Sequence, residues 1–459
     1  MIRTIAVVGG GFSGTVLASR LLRLSSSQPM RIVLVERGER VGRGVAYAVR
    51  EHPYLLNVPA GRMSANVADP QEFLRYAQHR RPGCTAADFL PREWYGDYLE
   101  ESLRAAQVDA PSHVRLDVVR NRAVGVRRPD RAAPLVLELE DGGAVLANEV
   151  VLATGNPPPA HLSATQPLNG HPAYVHDPWA APLRFRADER LLLIGTGLTA
   201  IDVMLAADAA GDRPSVVHLL SRRGLVPPQQ TGFRPDAFRG DGAAVLLGAP
   251  PSLRRIVRAV RVLAAEAERA GGDWREAIAF VRDLAPALWQ RLPESERRRF
   301  LRHVRVYWDV HRHRLPESTV QQVEQHRRSG WLKVHSGRIE RIEHGGEALN
   351  VRFRARDSGE PRSLEVDRIV NCTGPDYAPQ RSADPLIRGL LSDGLAVPDL
   401  LGLGLRTGPN GAVVDADGCA GPHLYCLGPM LRADHWEATA ALELRDHADR
   451  LAAHLTGGG

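Results

Sequence analysis

The chain opens on TIAVV (residues 4–8), an unbroken apolar run of strand length. It continues through a glycine turn into TVLASRLLRL, where Val16, Leu17, Leu21 and Leu22 recur at helical intervals, and then into a second apolar strand, RIVLVE (31–36). Strands without polar alternation belong to parallel sheets covered on both faces, so this order predicts a βαβ unit. The order returns in LLLIGTGLTAIDVMLAAD (191–208) followed by SVVHLLSRRG (215–224). Two further strands share an ending, NEVVLATGNPPP (148–159) and VDRIVNCTGPD (366–376), and each follows a hairpin-like stretch that turns at DGG or HGG. One supersecondary plan is thus used twice, which predicts one domain inserted within another: residues 1–160 and 367–459 form the outer one and 161–366 the inner one. Amphipathic runs such as SLRRIVRAVRVLAAEAERA and ESERRRFLRHVRVYWDV predict a helical insert over 251–328, and the Gly/Pro/Arg-rich stretch between Arg223 and Pro251 reads as a loop. The C-terminal segment reads as a strand, a Gly428–Pro429 turn, a loop, and a helix from about His435 or Trp436. The expected fold class is α/β, with two Rossmann-like dinucleotide-binding domains plus a helical insert.

Gly9, Gly11 and Gly14 stand at G-x-G-x-x-G spacing in GGGFSG, between the first strand and its helix. The first glycine permits the tight turn, the second lets a pyrophosphate approach the backbone, and the third lets helix pack close to strand. The helix start, through Phe12, Ser13 and Gly14, offers free N–H groups and a positive dipole end to phosphate. Glu36, with Arg37 beside it, ends the second strand 22 residues beyond Gly14, placed to accept hydrogen bonds from the adenosine ribose. An acid there suits FAD or NAD and disfavours a 2′-phosphate.

The repeat reads G-x-G-x-x-A, with Gly195, Gly197 and Ala200, and Leu198 and Thr199 open its helix. Its second strand ends in Ser221, Arg222 and Arg223 instead of an acid. Guanidinium groups pair with phosphate through charge-assisted bonds, so this ending suits the 2′-phosphate of NADPH, with NADH as the alternative and a solvated turn as the plainer reading.

Composition narrows the picture further. A chain of 459 residues allows two or three domains, and 44% hydrophobic with 24% charged residues is ordinary for a globular protein. The apolar runs are strand-length and end in glycine, so no membrane span or signal peptide is expected, and a cytoplasmic location follows by default. The net charge of +6 is carried almost wholly by arginine, Lys333 being the single lysine. That bias reads as genome composition, and no nucleic-acid motif accompanies it. Cys84, Cys372, Cys419 and Cys426 are scattered without a Cys-x-x-Cys pair, which excludes a dithiol reductase, and no spacing suits zinc.

With GGGFSG, the segments LLNVPAGRMSA (55–65), LATGNPP, DPWA (177–180), IGTGLTAIDV, LSRRGLVP, LWQRLP, RFLRHVRVYWDVHRHRLP, NCTGP and WEATAALELR span nearly the full chain. In them the chain resembles bacterial FAD/NAD(P)-binding oxidoreductases, kin of the N-hydroxylating, flavin-containing and Baeyer–Villiger monooxygenases. The resemblance implies that Asn57 passes near the isoalloxazine ring, that the backbone at Ala123 touches adenine, and that Thr154 and Gly155 form a linker turn. It also implies that Gly428 belongs to the flavin-side turn and that Trp436, Glu437 and Ala438 open a flavin-facing helix. Two features depart from the pattern. The F-x-G-x-x-x-H fingerprint is replaced by LNGHPAYVHDPWA, which keeps Gly170 and His176 at longer spacing, and Gly428–Pro429 stands where many such proteins have Gly–Asp.

The implied activity is that of an FAD-dependent NADPH oxidoreductase, a monooxygenase that hydroxylates a small molecule with molecular oxygen through a flavin hydroperoxide. A reductase or oxidase without oxygen insertion is the alternative, and a flavin-bound redox-sensing scaffold is the reading from another class. His176, His311 and His313 are candidate proton shuttles, with packing as their plainer role. A small-molecule substrate is the expected partner, and a homo-oligomer stays open.

Overall fold

The computed structural model describes residues 2–24, 28–48, 52–130, 133–231, 241–248, 250–346 and 348–457. The chain divides into two compact units, Met1–Val49 with Val58–Pro157 and Tyr377–Gly459, and Arg50–Asn57 with Pro158–Asp376.

In the first unit, β1 (Arg3–Val8) leads through the glycine turn to α1 (Phe12–Arg23) and β2 (Met30–Glu36). Ile5, Ala6 and Val7 are fully buried, as their unbroken apolarity requires. The helices α2 (Glu72–Arg80) and α3 (Arg92–Val108) precede β3 (Val114–Arg120). A separate antiparallel sheet follows from β4 (Ala123–Arg127), β5 (Leu135–Leu139) and β6 (Ala144–Ala147), and β7 (Glu149–Leu152) returns in parallel beside β1.

The second unit repeats the plan. After β8 (Tyr174–Val175), it runs through β9 (Arg190–Ile194), α4 (Leu198–Ala209) and β10 (Val216–Ser221). A helical insert follows: α5 (Asp241–Gly248), α6 (Leu253–Arg269), α7 (Trp274–Arg291), α8 (Glu294–Arg299), α9 (Arg305–Arg312) and α10 (Glu317–Arg328). A π-helical turn over Phe300–Val304 joins α8 to α9. The insert has a core of its own around Leu246, Leu263, Val281 and Leu288. The chain then forms β11 (Leu332–Gly345), β12 (Ala348–Ala355), β13 (Pro361–Val366) and β14 (Arg368–Asn371). The sheet order is β13-β12-β11-β10-β9-β14-β8, with β14 parallel to β9 as β7 is to β1.

The chain returns to the first unit with α11 (Pro385–Ser392), β15 (Ala412–Val414), β16 (Ala420–Cys426) and α12 (Ala441–Leu455). Its sheet order is completed as β15-β16-β7-β1-β2-β3.

Three expectations are corrected. The second unit runs past residue 366 to Asp376, because β14 belongs to its sheet, and it also takes in Arg50–Asn57. The stretch between Arg223 and Pro251 contains helix α5, while residues 232–240 lie outside the described ones. The C-terminal helix starts at Ala441 and not at His435 or Trp436. Trp436, Glu437 and Ala438 are buried ahead of that helix. Their segment closes instead by short turn bonds, from Ala438 N–H to His435 C=O (2.8 Å) and from Ala440 N–H to Glu437 C=O (3.1 Å).

Candidate functional site

The first cradle lies where neighbouring parallel strands end. Gly9 leaves β1 at φ 103°, a left-handed conformation open to glycine, and a Cβ there would stand 2.3 Å from the carbonyl oxygen of Ala153. A Cβ on Gly14 would stand 1.9 Å from the Gly9 carbonyl oxygen, so only a bare backbone lets α1 approach the strand. Gly11 caps α1 without any side-chain bond to its free N–H groups, leaving them to an anion. The Glu36 carboxylate is held at the mouth of this turn, where one oxygen accepts from the Gly10 N–H and the other from the Gly38 N–H, both at 2.6 Å. Each oxygen keeps a further lone pair for a ribose hydroxyl. Arg37 beside it is exposed.

Other expected residues meet at the same place. The Asn121 N–H donates to the Glu36 carbonyl (3.0 Å), which brings the start of β4 and Ala123 close to the turn. A Cβ on Gly9 would be 3.5 Å from the Thr154 Cα, and Gly155 follows at φ 74° with nothing within 4 Å of where its Cβ would stand. A Cβ on Gly428 would be 3.4 Å from the buried Ser13 hydroxyl, so the turn after β16 flanks the start of α1. One element escaped sequence reasoning: the VGRG segment after β2. The Gly42 N–H donates to the Gly10 carbonyl (2.7 Å) and the Thr15 hydroxyl donates to the same oxygen (3.0 Å). The buried Arg43 guanidinium donates to the Glu93 carbonyl (3.0 Å) and pairs with Asp97, anchoring this segment to α3. A glycine-flanked arginine soon after the second strand was the available signal.

The second cradle repeats a backbone bond of the first. The Gly195 N–H donates to the Leu220 carbonyl at 2.8 Å, as Gly9 does to Val35 at 2.8 Å. Gly195 has φ 129°, and a Cβ there would lie 2.4 Å from the Cys372 carbonyl oxygen. Gly197 caps α4 with no side-chain bond, nothing lies within 4 Å of where its Cβ would be, and the first turn, Leu198–Thr199–Ala200, opens onto that space. Ala200, with a fully buried side chain, stands where the first cradle has Gly14.

The end of β10 divides the labour among its three expected residues. The Ser221 hydroxyl is engaged internally, 3.0 Å from the Thr196 hydroxyl and accepting the Gly224 N–H at 3.0 Å. Arg223 donates to the Tyr307 hydroxyl (2.8 Å), with its guanidinium 4.8 Å from that ring's centre. Arg222 is exposed and has no partner among the described residues. Tyr307, on α9, was not legible as part of this site, because nothing local in the sequence links it to residue 223.

The remaining candidates are placed as follows. Asn57 clusters with the second unit. His176 follows β8, and its ring stacks on His161 at 3.9 Å and 6° between planes. Burial, helped by His161, holds its pKa below the usual histidine range. His311 and His313 bond through Nδ1 to the carbonyls of Tyr307 (2.7 Å) and Asp309 (3.0 Å), which ties both rings to the end of α9. Trp436 is buried with the Arg432 guanidinium 3.9 Å from its ring centre, so Trp436, Glu437 and Ala438 form an anchored turn and not a helix start. Among the described residues no helix is long and apolar enough to cross a membrane.

Residues 6–157 match a family model described as FAD-NAD(P)-binding. No curated protein sequence matches the chain significantly. Among solved structures, the chain is similar to ornithine hydroxylase from Pseudomonas aeruginosa, at 14% identity and a TM-score of 0.66 with 100% of each chain covered. It is also similar to L-lysine 6-monooxygenase from Pseudomonas syringae, at 18% identity and a TM-score of 0.65 with 100% of each chain covered. A third similar structure is the FAD-bound cadaverine monooxygenase of desferrioxamine biosynthesis from Erwinia amylovora, at 13% identity and a TM-score of 0.64, covering 100% of this chain and 95% of that one. At these identities the likeness establishes the fold alone, with its two glycine-turned βαβ units.

Proposed function

We propose that the protein is an FAD- and NADPH-dependent monooxygenase acting on a small molecule. The observation that carries this reading is that two cradles built on one backbone plan close on opposite charges, Glu36 in the first and Arg222 with Arg223 in the second. The geometry of the first fits FAD: the glycine turn leaves no room for a Cβ, the start of α1 is uncapped, and a carboxylate stands where a ribose needs an acceptor. The second fits NADPH: the start of α4 is likewise uncapped, and an exposed guanidinium, without a partner among the described residues, would meet a 2′-phosphate.

When bound, the two cofactors supply hydride transfer and the reduction of molecular oxygen. This chain's own residues bind and orient. The N–H groups opening α1 and α4 would hold the two pyrophosphates, Glu36 would fix one adenosine and Arg222 the other. In the overall reaction NADPH provides two electrons, one oxygen atom enters the substrate, and the other leaves as water. The substrates named for the three similar enzymes are ornithine, lysine and cadaverine, so a primary alkyl amine is the first class to test.

The test uses flavin-loaded protein. NADPH added without oxygen should bleach the flavin absorbance, and with labelled dioxygen an amine should gain one labelled oxygen atom. Bleaching followed only by peroxide release, with every amine tried, would replace this reading by a reductase or oxidase, which the absent fingerprint favours. No bleaching would leave a non-enzymatic flavoprotein.

A further inference from the structure

We propose that Arg432 is the cation that balances the negative charge a flavin ring gains on reduction. This deepens the proposed function and rests on FAD occupying the first cradle. The strands β16, β7, β1 and β2 lie side by side and parallel, so their carboxyl ends share one edge of the sheet. Three bonds close that edge: Gly9 N–H to Val35 C=O (2.8 Å), Ala153 N–H to Val8 C=O (2.8 Å) and Leu427 N–H to Leu152 C=O (2.9 Å). Dinucleotides lie in the crevice outside such strand ends. With its adenosine at Glu36 after β2 and its pyrophosphate at the start of α1, the rest of FAD would run toward the turns after β7 and β16. Arg432 stands in the second of these turns.

The chain leaves β16 at Gly428 (φ 108°), turns once over Pro429–Leu431, and brings the Arg432 N–H onto the Pro429 carbonyl (3.2 Å). The Arg432 guanidinium lies 3.9 Å from the ring centre of Trp436 and 5.0 Å from that of Tyr377. Trp436 is buried, and the Tyr377 hydroxyl donates to the Asn156 amide oxygen (3.0 Å), just past the Gly155 turn after β7. All of these residues belong to the first unit. Two rings thus hold one cation beside both turns.

That cation has no anion. The Arg432 Nε is buried without a hydrogen-bond partner, and the guanidinium has no ion pair among the described residues. Asp434, two residues on, accepts from the Thr407 hydroxyl instead (2.6 Å). Stacking alone does not account for this. Arg80, Arg213, Arg223, Arg275 and Arg297 also lie on rings, and each of them reaches a carboxylate, hydroxyl or carbonyl oxygen as well. A charge drawn partly out of water without a counter-charge is costly, which points to an anion supplied by something other than the chain. The helix start expected at this turn comes only at Ala441, so the positive charge within the turn is a side chain's. A hydride brings a flavin ring two electrons and one proton, so the ring becomes an anion unless a second proton follows. A fixed cation beside it favours that anion over the neutral oxidised ring.

The experiment compares the FAD-loaded full-length protein with its Arg432→Met and Arg432→Lys variants, by reduction in equilibrium with redox dyes and by flavin dissociation. Arg432→Met should lower the equilibrium constant for two-electron reduction at least about tenfold, which is about 30 mV for such a couple, and Arg432→Lys should recover most of it. The dissociation constant for oxidised FAD should change less than about threefold in both. An unchanged potential in Arg432→Met overturns the proposal. So does an equal fall in both variants, which would mark the ring clamp and not the charge. Flavin lost from either variant overturns it in favour of a contact to the pyrophosphate, whose charge the oxidised cofactor already carries. Wild-type protein that takes up no FAD would refute the flavin reading itself.

Discussion

Substituting the first glycine of each cradle separates the two sites. Gly9→Ala places a Cβ 2.3 Å from the Ala153 carbonyl oxygen, about an ångström inside ordinary contact, at φ 103°. Holding a residue with a side chain in left-handed backbone costs roughly 1–2 kcal/mol. Forcing a methyl group into a filled space adds roughly 1–3 kcal/mol, because the neighbouring atoms are backbone and yield poorly. The total, about 2–5 kcal/mol, falls on the turn that would receive the FAD pyrophosphate, and each 1.4 kcal/mol is about tenfold in affinity. Gly195→Ala makes the same error in the second unit, with its Cβ 2.4 Å from the Cys372 carbonyl oxygen at φ 129°. Purified Gly9→Ala protein should therefore carry little flavin and melt at lower temperature. Gly195→Ala protein should stay yellow, accept electrons from dithionite, and be reduced only slowly by NADPH. The assays are the ratio of flavin to protein absorbance, a thermal melt, and anaerobic stopped-flow reduction. A Gly9→Ala protein with a full complement of FAD and the wild-type melting temperature would refute the cradle assignment.

Two further outcomes are expected. Arg222→Ala should raise KM for NADPH about 10- to 100-fold and leave KM for NADH nearly unchanged, while Tyr307→Phe, which keeps the ring under Arg223 and removes its hydroxyl bond, should shift the same ratio by only about two- to fivefold; equal effects on both cofactors would contradict a phosphate contact. The second concerns pH. His218 is buried against β11, and burial first, then His335 and Lys333, lowers its pKa from 6.5 to about 4. Between those values the unfolded chain binds a proton that the folded chain does not, so stability is complete above about 6.5 and falls as pH drops toward 4, by on the order of 3 kcal/mol. Urea denaturation at about pH 7.5 and about pH 5 should show roughly 2 kcal/mol of this loss in the wild type and a smaller one in His218→Gln, and identical midpoints at both pH values would disprove it.

Much of the architecture was legible because the interior dictates local pattern. Strands buried on both faces must be apolar throughout, as TIAVV and RLLLI are, and a backbone-to-backbone approach at Gly9 and Gly195 must exclude a side chain. Those constraints act over a few residues and leave a mark on the sequence. The C-terminal helix was misplaced because WEATAALELR has helical composition throughout, while the packing of Trp436 beneath Arg432 decides where the helix begins. The bond from Arg223 to Tyr307 and the stack of His161 on His176 join residues brought together only by the fold, so no local pattern announces them. The boundary at Asp376 was missed for the same reason, since β14 reveals its allegiance only through its pairing with β9.

The first unit's sheet is finished late. Its β7 meets β16 through pairs such as Val150 with Leu424, so the strand made first waits for one made only after Pro158–Asp376 of the second unit. Until then β7 presents a bare row of amide and carbonyl groups along one side, a template for any passing extended chain. Pro158–Asp376, the larger part of the second unit, is synthesised during that wait and can close with the Arg50–Asn57 segment made before it. A ribosome stall or nonsense codon before β15 would thus release a chain with one sound domain and one adhesive edge, and aggregation, more than lost chemistry, would mark such truncations.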